Sequence, residues 1–194
     1  MSVLSNVDIE NELINGNNIR IYPLNLSNMK SSTYNLTASE HAWSLIKGKS
    51  IVDHDKGIIT IPPHDTGLLA TKEVIWVSEK ICGTYHSKVS IVSAGGGHIG
   101  TTLDPTWLGH SIIAVHNHTD QEIEIETGET FVSIMFHYLN TPTTKKQDNK
   151  SSQTDKLPPL LKGEKAYFDL SWKNNSDELL DKIKEDKEYQ KLVE

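Results

Sequence analysis

Asp104 lies in the string Thr101-Thr102-Leu103-Asp104-Pro105-Thr106-Trp107-Leu108-Gly109. A carboxylate within one hydrogen bond of a water is what a general base requires. Aspartate is equally favoured as the first residue of an Asp-Pro-Thr-Trp turn, and both readings stand. Just upstream, Gly95-Gly96-Gly97-His98-Ile99-Gly100 could cradle a phosphate through successive backbone N–H groups. It lacks the Lys-Ser/Thr ending of a P-loop, and the plainer reading is a flexible loop before the next hairpin. The chain has 9 histidines. His116 and His118 alternate along one strand and share a face, with His98, His110 and His137 near in sequence. Histidines from three copies could meet on a symmetry axis, but scattered strand histidines more often pack or face solvent. No metal is assigned.

Whatever these groups do, they sit in a chain of 194 residues, which suits one domain with a sizeable core and some extra tail. A hydrophobic fraction of 36% leaves part of the chain outside that core. The formal charge of −7 argues against wrapping a nucleic-acid backbone, though a local basic pocket could still hold one nucleotide. Cys82 is the only cysteine, which excludes an intrachain disulfide and a multi-cysteine zinc site and fits a reducing cytoplasm. No basic segment followed by an apolar run marks a signal peptide. No apolar stretch approaches the roughly 20 residues of a membrane span.

Local signals then say how the candidates are positioned. Ser5-Asn6-Val7-Asp8 reads as a capping box. Ile9, Leu13 and Ile14 share a helical face, and Gly16 is the C-terminal stop. Period-two and short apolar runs predict strands at 18–22, 33–37, 57–61, 67–71, 87–93, 110–117, 122–126 and 130–139. Turn signals separate them at Asp55-Lys56-Gly57, Pro62-Pro63-His64-Asp65, Gly95-Gly96-Gly97 and Thr127-Gly128. Short strands so punctuated indicate an all-β sandwich or jelly roll. Residues 1–140 form this domain, 141–156 read as a polar linker, and 157–194 as an extension with an amphipathic helix. Ser176 can cap that helix, with Leu179, Leu180, Ile183 and Leu192 on one side, docked on the β core or on a neighbouring subunit.

Residues 3 to 139 resemble the dCTP deaminase / dUTP diphosphatase (dUTPase) superfamily, and most closely its deaminase branch. The resemblance is carried by Leu4-Ser5-Asn6-Val7-Asp8-Ile9, by Ile19-Arg20-Ile21-Tyr22-Pro23-Leu24, and by Ser32-Thr33-Tyr34-Asn35-Leu36 with Asn35 in place of Asp. It continues through Ile61 to Glu73, through Asp104-Pro105-Thr106-Trp107-Leu108-Gly109, and through Gly128-Glu129-Thr130-Phe131-Val132-Ser133-Ile134-Met135-Phe136. It implies a distorted β-jelly roll with an N-terminal helix and a C-terminal helical extension. It also implies a homotrimer with nucleotide pockets between subunits. On that resemblance Asp104 matches the carboxylate that orients or deprotonates the attacking water in dUTP hydrolysis. Trp107 matches the aromatic wall under the deoxyribose, its other reading being a core tryptophan. His86-Ser87-Lys88 matches the phosphate motif.

The resemblance therefore implies ligand contacts at His86, Ser87, Lys88, Gly97, His98, Thr102, Asp104, Trp107 and Ser133. Several family groups are replaced. The acid/base glutamate ten residues beyond the Asp is Ala114 here. The two arginines of the phosphate motif are His86 and Ile91, its second serine is Lys88, and the glutamine of the closing motif is Ser133. Two guanidinium forks are thus lost, and Lys88 offers a point charge. Alanine cannot shuttle a proton, so deamination by the family route is not expected. Besides a scaffold with no ligand, two functions remain open. One is a protein that senses or sequesters a nucleotide, or regulates a partner, without a cofactor. The other is a dUTP diphosphatase in which Asp104 activates water and Mg2+ binds through the nucleotide phosphates.

Overall fold

A computed structural model describes residues 2–97, 100–145 and 176–194. The capping box forms at the start of α1 (Asn6–Asn15). The Ser5 hydroxyl accepts the Asp8 N–H at 3.2 Å, and the Ser5 N–H donates to the Asp8 carboxylate at 2.9 Å. Gly16 ends the helix in the left-handed region at φ 63°. Ile9 and Leu13 carry the buried face, whereas Ile14 turns out to solvent and is 39% exposed.

Among the described residues thirteen strands follow the β-rich reading: β1 (Ser2–Val3), β2 (Ile19–Tyr22), β3 (Tyr34–Ser44), β4 (Lys49–Ser50), β5 (Val52–Asp53), β6 (Ile58–Ile61), β7 (Thr66–Val77), β8 (Ile81–Ser87), β9 (Gly96–Gly97), β10 (Thr102–Leu103), β11 (Leu108–Asn117), β12 (Ile123–Glu126) and β13 (Thr130–Tyr138). The large antiparallel sheet runs β10-β8-β13-β3-β7-β11-β9, with β1 on β13, β2 on β7 and β4 on β3; a small sheet runs β12-β6-β5. Ile59, Ile61, Ile123 and Ile125 of the small sheet join Tyr34, Leu36, Ile75, Ile134 and Phe136 of the large one in a single apolar core. The architecture is a distorted β-jelly roll.

One predicted strand is a helix. Residues 87–93 divide into the last residue of β8 and α2 (Val89–Ser93). Val89, Ile91 and Val92 fit a short strand or one helical turn equally well, and tertiary packing decides. Ile91 alone points inward, against Gly96, where an added Cβ would lie 2.8 Å from it. Val89 and Val92 remain 83% and 55% exposed. The strand that supplies the pairing is the preceding segment, β8.

Of the predicted linker, 141–145 are described and 146–156 lie outside the described residues, as do 157–175 of the extension. Its end forms α3 (Ser176–Lys184) and α4 (Lys187–Val193). These fold onto the chain's own α1–β2 corner. Leu179 and Ile183 are buried. Arg20 stacks 4.3 Å above the Trp76 ring, donates from Nε to the Gly16 carbonyl at 2.8 Å, and also holds the Ser176 carbonyl. Its ion pair with Asp177 spans 3.3 Å but is exposed on the acid side and contributes little. The Asp186 and Glu188 carboxylates accept the Leu24 and Leu26 N–H groups at 3.2 and 3.4 Å. No helix among the described residues is long and apolar enough to cross a membrane.

Gly16 is where the tail meets α1. A Cβ there would lie 2.8 Å from Leu180 Cδ1, on a backbone that L residues rarely adopt. Gly16→Ala is expected to destabilise the protein by about 1–2 kcal/mol, mostly through backbone strain because the Leu180 methyl can yield. A lowered urea midpoint checks this. An unchanged midpoint would show that the helix end relaxes without cost.

Candidate functional site

Strand β8 organises the site, because β10 and β13 flank it and opposed residues of antiparallel strands share a face. The registers are Thr102↔Thr84, His137↔Cys82, Met135↔Thr84 and Ser133↔His86. Cys82, Thr84, His86, Thr102, Ser133, Met135 and His137 therefore share the outer face. Gly83, Tyr85, Ile134 and Phe136 face the core. The next strand adds Asn35, paired with Ser133. The Ser133 hydroxyl donates to Asn35 Oδ1 at 2.7 Å. His86, Ser133 and Asn35 thus form one polar row across three strands.

Ser87 and Lys88 leave this row. Ser87 pairs with buried Val132 on the opposite face. Lys88 precedes α2 without a side-chain cap, and its ammonium donates to the Thr130 hydroxyl.

Asp104 lies past the other end of β8. Its carbonyl accepts the Trp107 N–H at 3.3 Å, closing the expected turn, and Thr106 takes a positive φ of 65°. Its carboxylate is exposed and accepts from the Thr102 hydroxyl at 3.5 Å. The turn reading and an accessible carboxylate are thus satisfied together. Leu103 pairs with Gly83, which puts Asp104 next to the Cys82 end of β8, where burial and then the charge of Asp104 push the Cys82 thiol up. Trp107 is half-buried against the main core, and its indole N–H is taken by the Gly109 carbonyl at 3.2 Å. Cys82 and Lys88 are six residues apart, which at strand rise is about 20 Å. One protomer therefore holds the hairpin and the phosphate segment at opposite ends of a strand.

Gly97 belongs to β9 at the far edge of the sheet path, paired with His116. His98 lies outside the described residues. Ala114 sits on β11 opposite Leu68, in an apolar cluster with Trp43, Ala70 and Ile112.

The remaining histidines are mostly engaged locally. His110 is 6% exposed and its Nδ1 lies 2.9 Å from the Thr71 carbonyl. Burial pushes it down to about 4, so it is neutral at ordinary pH and Nδ1 carries the proton donated to that carbonyl. His116 Nδ1 lies 2.8 Å from the Thr66 hydroxyl, and its ring centroid is 5.9 Å from that of His118. Among the described residues no group of three or more His, Cys, Asp or Glu is placed to hold a metal ion.

Sequence reasoning missed Thr84 and His137 as members of the candidate face. Residues 81–87 do alternate, but their outward members are uncharged and Gly83 reads as a turn signal. Gly83 is instead a close approach, its Cβ position 3.1 Å from the Met135 carbonyl.

Comparison with known proteins gives concordant results. A family model described as dCTP deaminase-like matches residues 3–139. The chain is 28% identical to a dCTP deaminase of Pyrococcus furiosus over 124 residues, covering 64% of this chain and 78% of that protein. It is 29% identical to a dCTP deaminase of Thermococcus kodakarensis over the same length, covering 64% and 79%. Among solved structures, the dCTP deaminase of Agrobacterium tumefaciens superposes with a TM-score of 0.55 at 11% identity, over 69% of this chain and 48% of that one. The chain thus spans about half of that structure, and this likeness concerns the fold alone.

Proposed function

The chain belongs to the dCTP deaminase-like family, and from that premise we propose that it binds a nucleotide, which it senses or sequesters, without deaminating it. The observation that carries this reading is the surrounding of Ala114. Where the resemblance calls for a proton-shuttling carboxylate, the chain presents alanine among Trp43, Leu68, Ala70 and Ile112. An apolar floor can pack against a base but cannot accept or return a proton. The phosphate end keeps the cation of Lys88, whose ammonium donates to the Thr130 hydroxyl, and the hydrogen-bonding row of His86, Ser133 and Asn35. Such a set can hold a nucleotide but lacks the paired guanidinium forks that clamp a transferring phosphoryl group.

The pocket is shared between copies in a homotrimer on this reading. The strand-length separation of Asp104 from Lys88 supports it, because a second copy can bring the phosphate segment of one chain to the hairpin of another. The ligand contacts are then Ser133, Lys88 and His86 from one copy and Thr102, Asp104 and Trp107 from another, with Ser87, Gly97 and His98 at the margins. Domain limits of 1–140 for the pocket-bearing body and 157–194 for the extension accompany this proposal.

A dUTP diphosphatase is the second reading, favoured by the exposed carboxylate of Asp104 beside the Thr102 hydroxyl. Mg2+ would then be held mainly by the triphosphate, since the described residues offer no cluster of ligands of their own. Incubation of the full chain and Mg2+ with a panel of deoxynucleoside triphosphates separates the readings. The expected result is saturable binding of at least one nucleotide, no ammonia release from dCTP or dCMP, and no rapid pyrophosphate release. Pyrophosphate release from dUTP that disappears in Asp104→Asn would establish the diphosphatase instead.

A further inference from the structure

On the outer face of β8 and β13, one hydroxyl joins two imidazoles. Thr84 Oγ1 lies 2.9 Å from His86 Nε2 and 3.2 Å from His137 Nε2. His137 is 8% exposed, packed between Cys82 on β8 and Val3 on β1, and its Nδ1 is buried with no hydrogen-bond partner. His86, at the open end of the row, is exposed.

Counting protons fixes what this arrangement can do. A threonine hydroxyl has one proton to donate and lone pairs with which to accept. Thr84 Oγ1 makes no other hydrogen bond among the described residues, so with both rings neutral its proton goes to one imidazole and its lone pair accepts from the other. The two tautomers are therefore tied together. If His137 carries its proton on Nδ1, that N–H is a buried donor without a partner. Thr84 then donates to His137, and His86 must donate from Nε2. If His137 carries its proton on Nε2, that N–H donates to Thr84. Thr84 then donates to His86 Nε2, and the His86 proton resides on Nδ1. Burial pushes the His137 pKa down, and at a pH above the ordinary imidazole titration one of these two states applies. The first state buries an N–H donor without a partner and the second only a ring lone pair, the less costly of the two, which selects the second state.

We infer that His137 and Thr84 are positioning residues that hold His86 as an Nδ1–H donor at the phosphate end of the nucleotide site. This deepens, and rests on, the nucleotide-binding reading above. It also supplies a role for the histidine that replaces an arginine of the family motif. A ring whose Nε2 is tied down by Thr84 has one free nitrogen, and the relay makes that nitrogen a donor. It is a donor of fixed direction on the row that contains Ser133 and Asn35, suited to an anionic or carbonyl oxygen of the ligand. Neither Thr84 nor His137 touches the ligand.

The test uses the full chain with 15N-labelled histidine at pH 8, above the ordinary imidazole titration. Long-range 1H–15N spectra report which ring nitrogen carries the proton. The expected wild-type result is Nδ1–H for His86 and Nε2–H for His137. Thr84→Ser should keep both. Thr84→Val, which preserves shape on a strand, should return His86 to the Nε2–H form that an unconstrained imidazole favours. For any nucleotide that binds the wild type, Thr84→Val should weaken affinity about three- to tenfold and Thr84→Ser should restore it, as for the loss of about one hydrogen bond. His86 found as Nε2–H in the wild type overturns the inference without any variant being made. A tautomer unmoved by Thr84→Val overturns it as well. The expected tautomers with no nucleotide bound would support the relay and reject only the reading on which it rests.

Discussion

Phe136→Ala is expected to lower the unfolding free energy by about 3–5 kcal/mol, the cost of emptying a fully buried aromatic site in a core that cannot collapse to fill it. Phe136 is 0% exposed and lies on β13, which is paired on both sides, with β8 and β3. Its partner on β8 is Gly83, which contributes no side chain to fill the space. Its carbonyl accepts the Leu4 N–H at 3.0 Å, so the backbone at this point also anchors the N-terminal segment. The strand alternates core and site: Ile134 and Phe136 point inward, Ser133, Met135 and His137 outward. The variant should therefore loosen the candidate face along with the core. Urea unfolding of the wild type and the variant checks the magnitude. A loss under about 1 kcal/mol would mean that β13 does not bear on the cooperative core.

Acidification should destabilise the protein between about pH 6.5 and pH 4, and His110 should account for much of the loss. Burial pushes His110 down to about 4 in the folded chain, against about 6.5 unfolded. Between those values the unfolded state binds the proton and the folded state does not, so stability rises with pH across the window. The contribution is fully present above about pH 6.5 and is lost as the pH falls through about 4, for a total of about 3 kcal/mol at 1.36 kcal/mol per unit. The opposite sign holds for Glu73, whose carboxyl burial pushes up while the Thr37 N–H and hydroxyl hold it at 2.9 and 2.8 Å. A raised carboxyl contributes stability that is fully present below its unfolded value and is lost as the pH rises through its folded value, so on acidification Glu73 gains stability down to about pH 4.3 and offsets part of the His110 loss. Thermal unfolding from pH 8 to pH 4 should show a steep fall for wild type and a shallower one for His110→Gln. Equal slopes would show that other groups set the acid limit.

Local chemistry made much of the fold legible. The Ser5/Asp8 box and the stop at Gly16 depend on residues within a few positions of each other, so sequence alone determined both ends of α1. The strands 58–61, 108–117, 123–126 and 130–138 announce themselves because one face is buried and the other is not, a difference that writes itself as alternation. The deaminase-like frame was also readable, since Ser87, Asp104, Trp107 and Gly109 keep their order although neighbouring positions depart from the family pattern.

Only the tertiary structure decided what these residues are next to. Val89, Ile91 and Val92 carry no period long enough to choose strand or helix, and the contact of Ile91 with Gly96 chose for them. The Thr84–His137 contact spans 53 residues and exists because β8 and β13 pair with Cys82 opposite His137. A one-residue slip would turn His137 into the core and break the contact. Register is fixed by the sum of all side chains packed on both faces, which no short stretch of sequence contains. For the same reason the string around Asp104 specified a turn and an exposed carboxylate. The pairing of β10 with β8, which sets Asp104 past one end of β8 and away from Lys88, became visible only once the chain was folded.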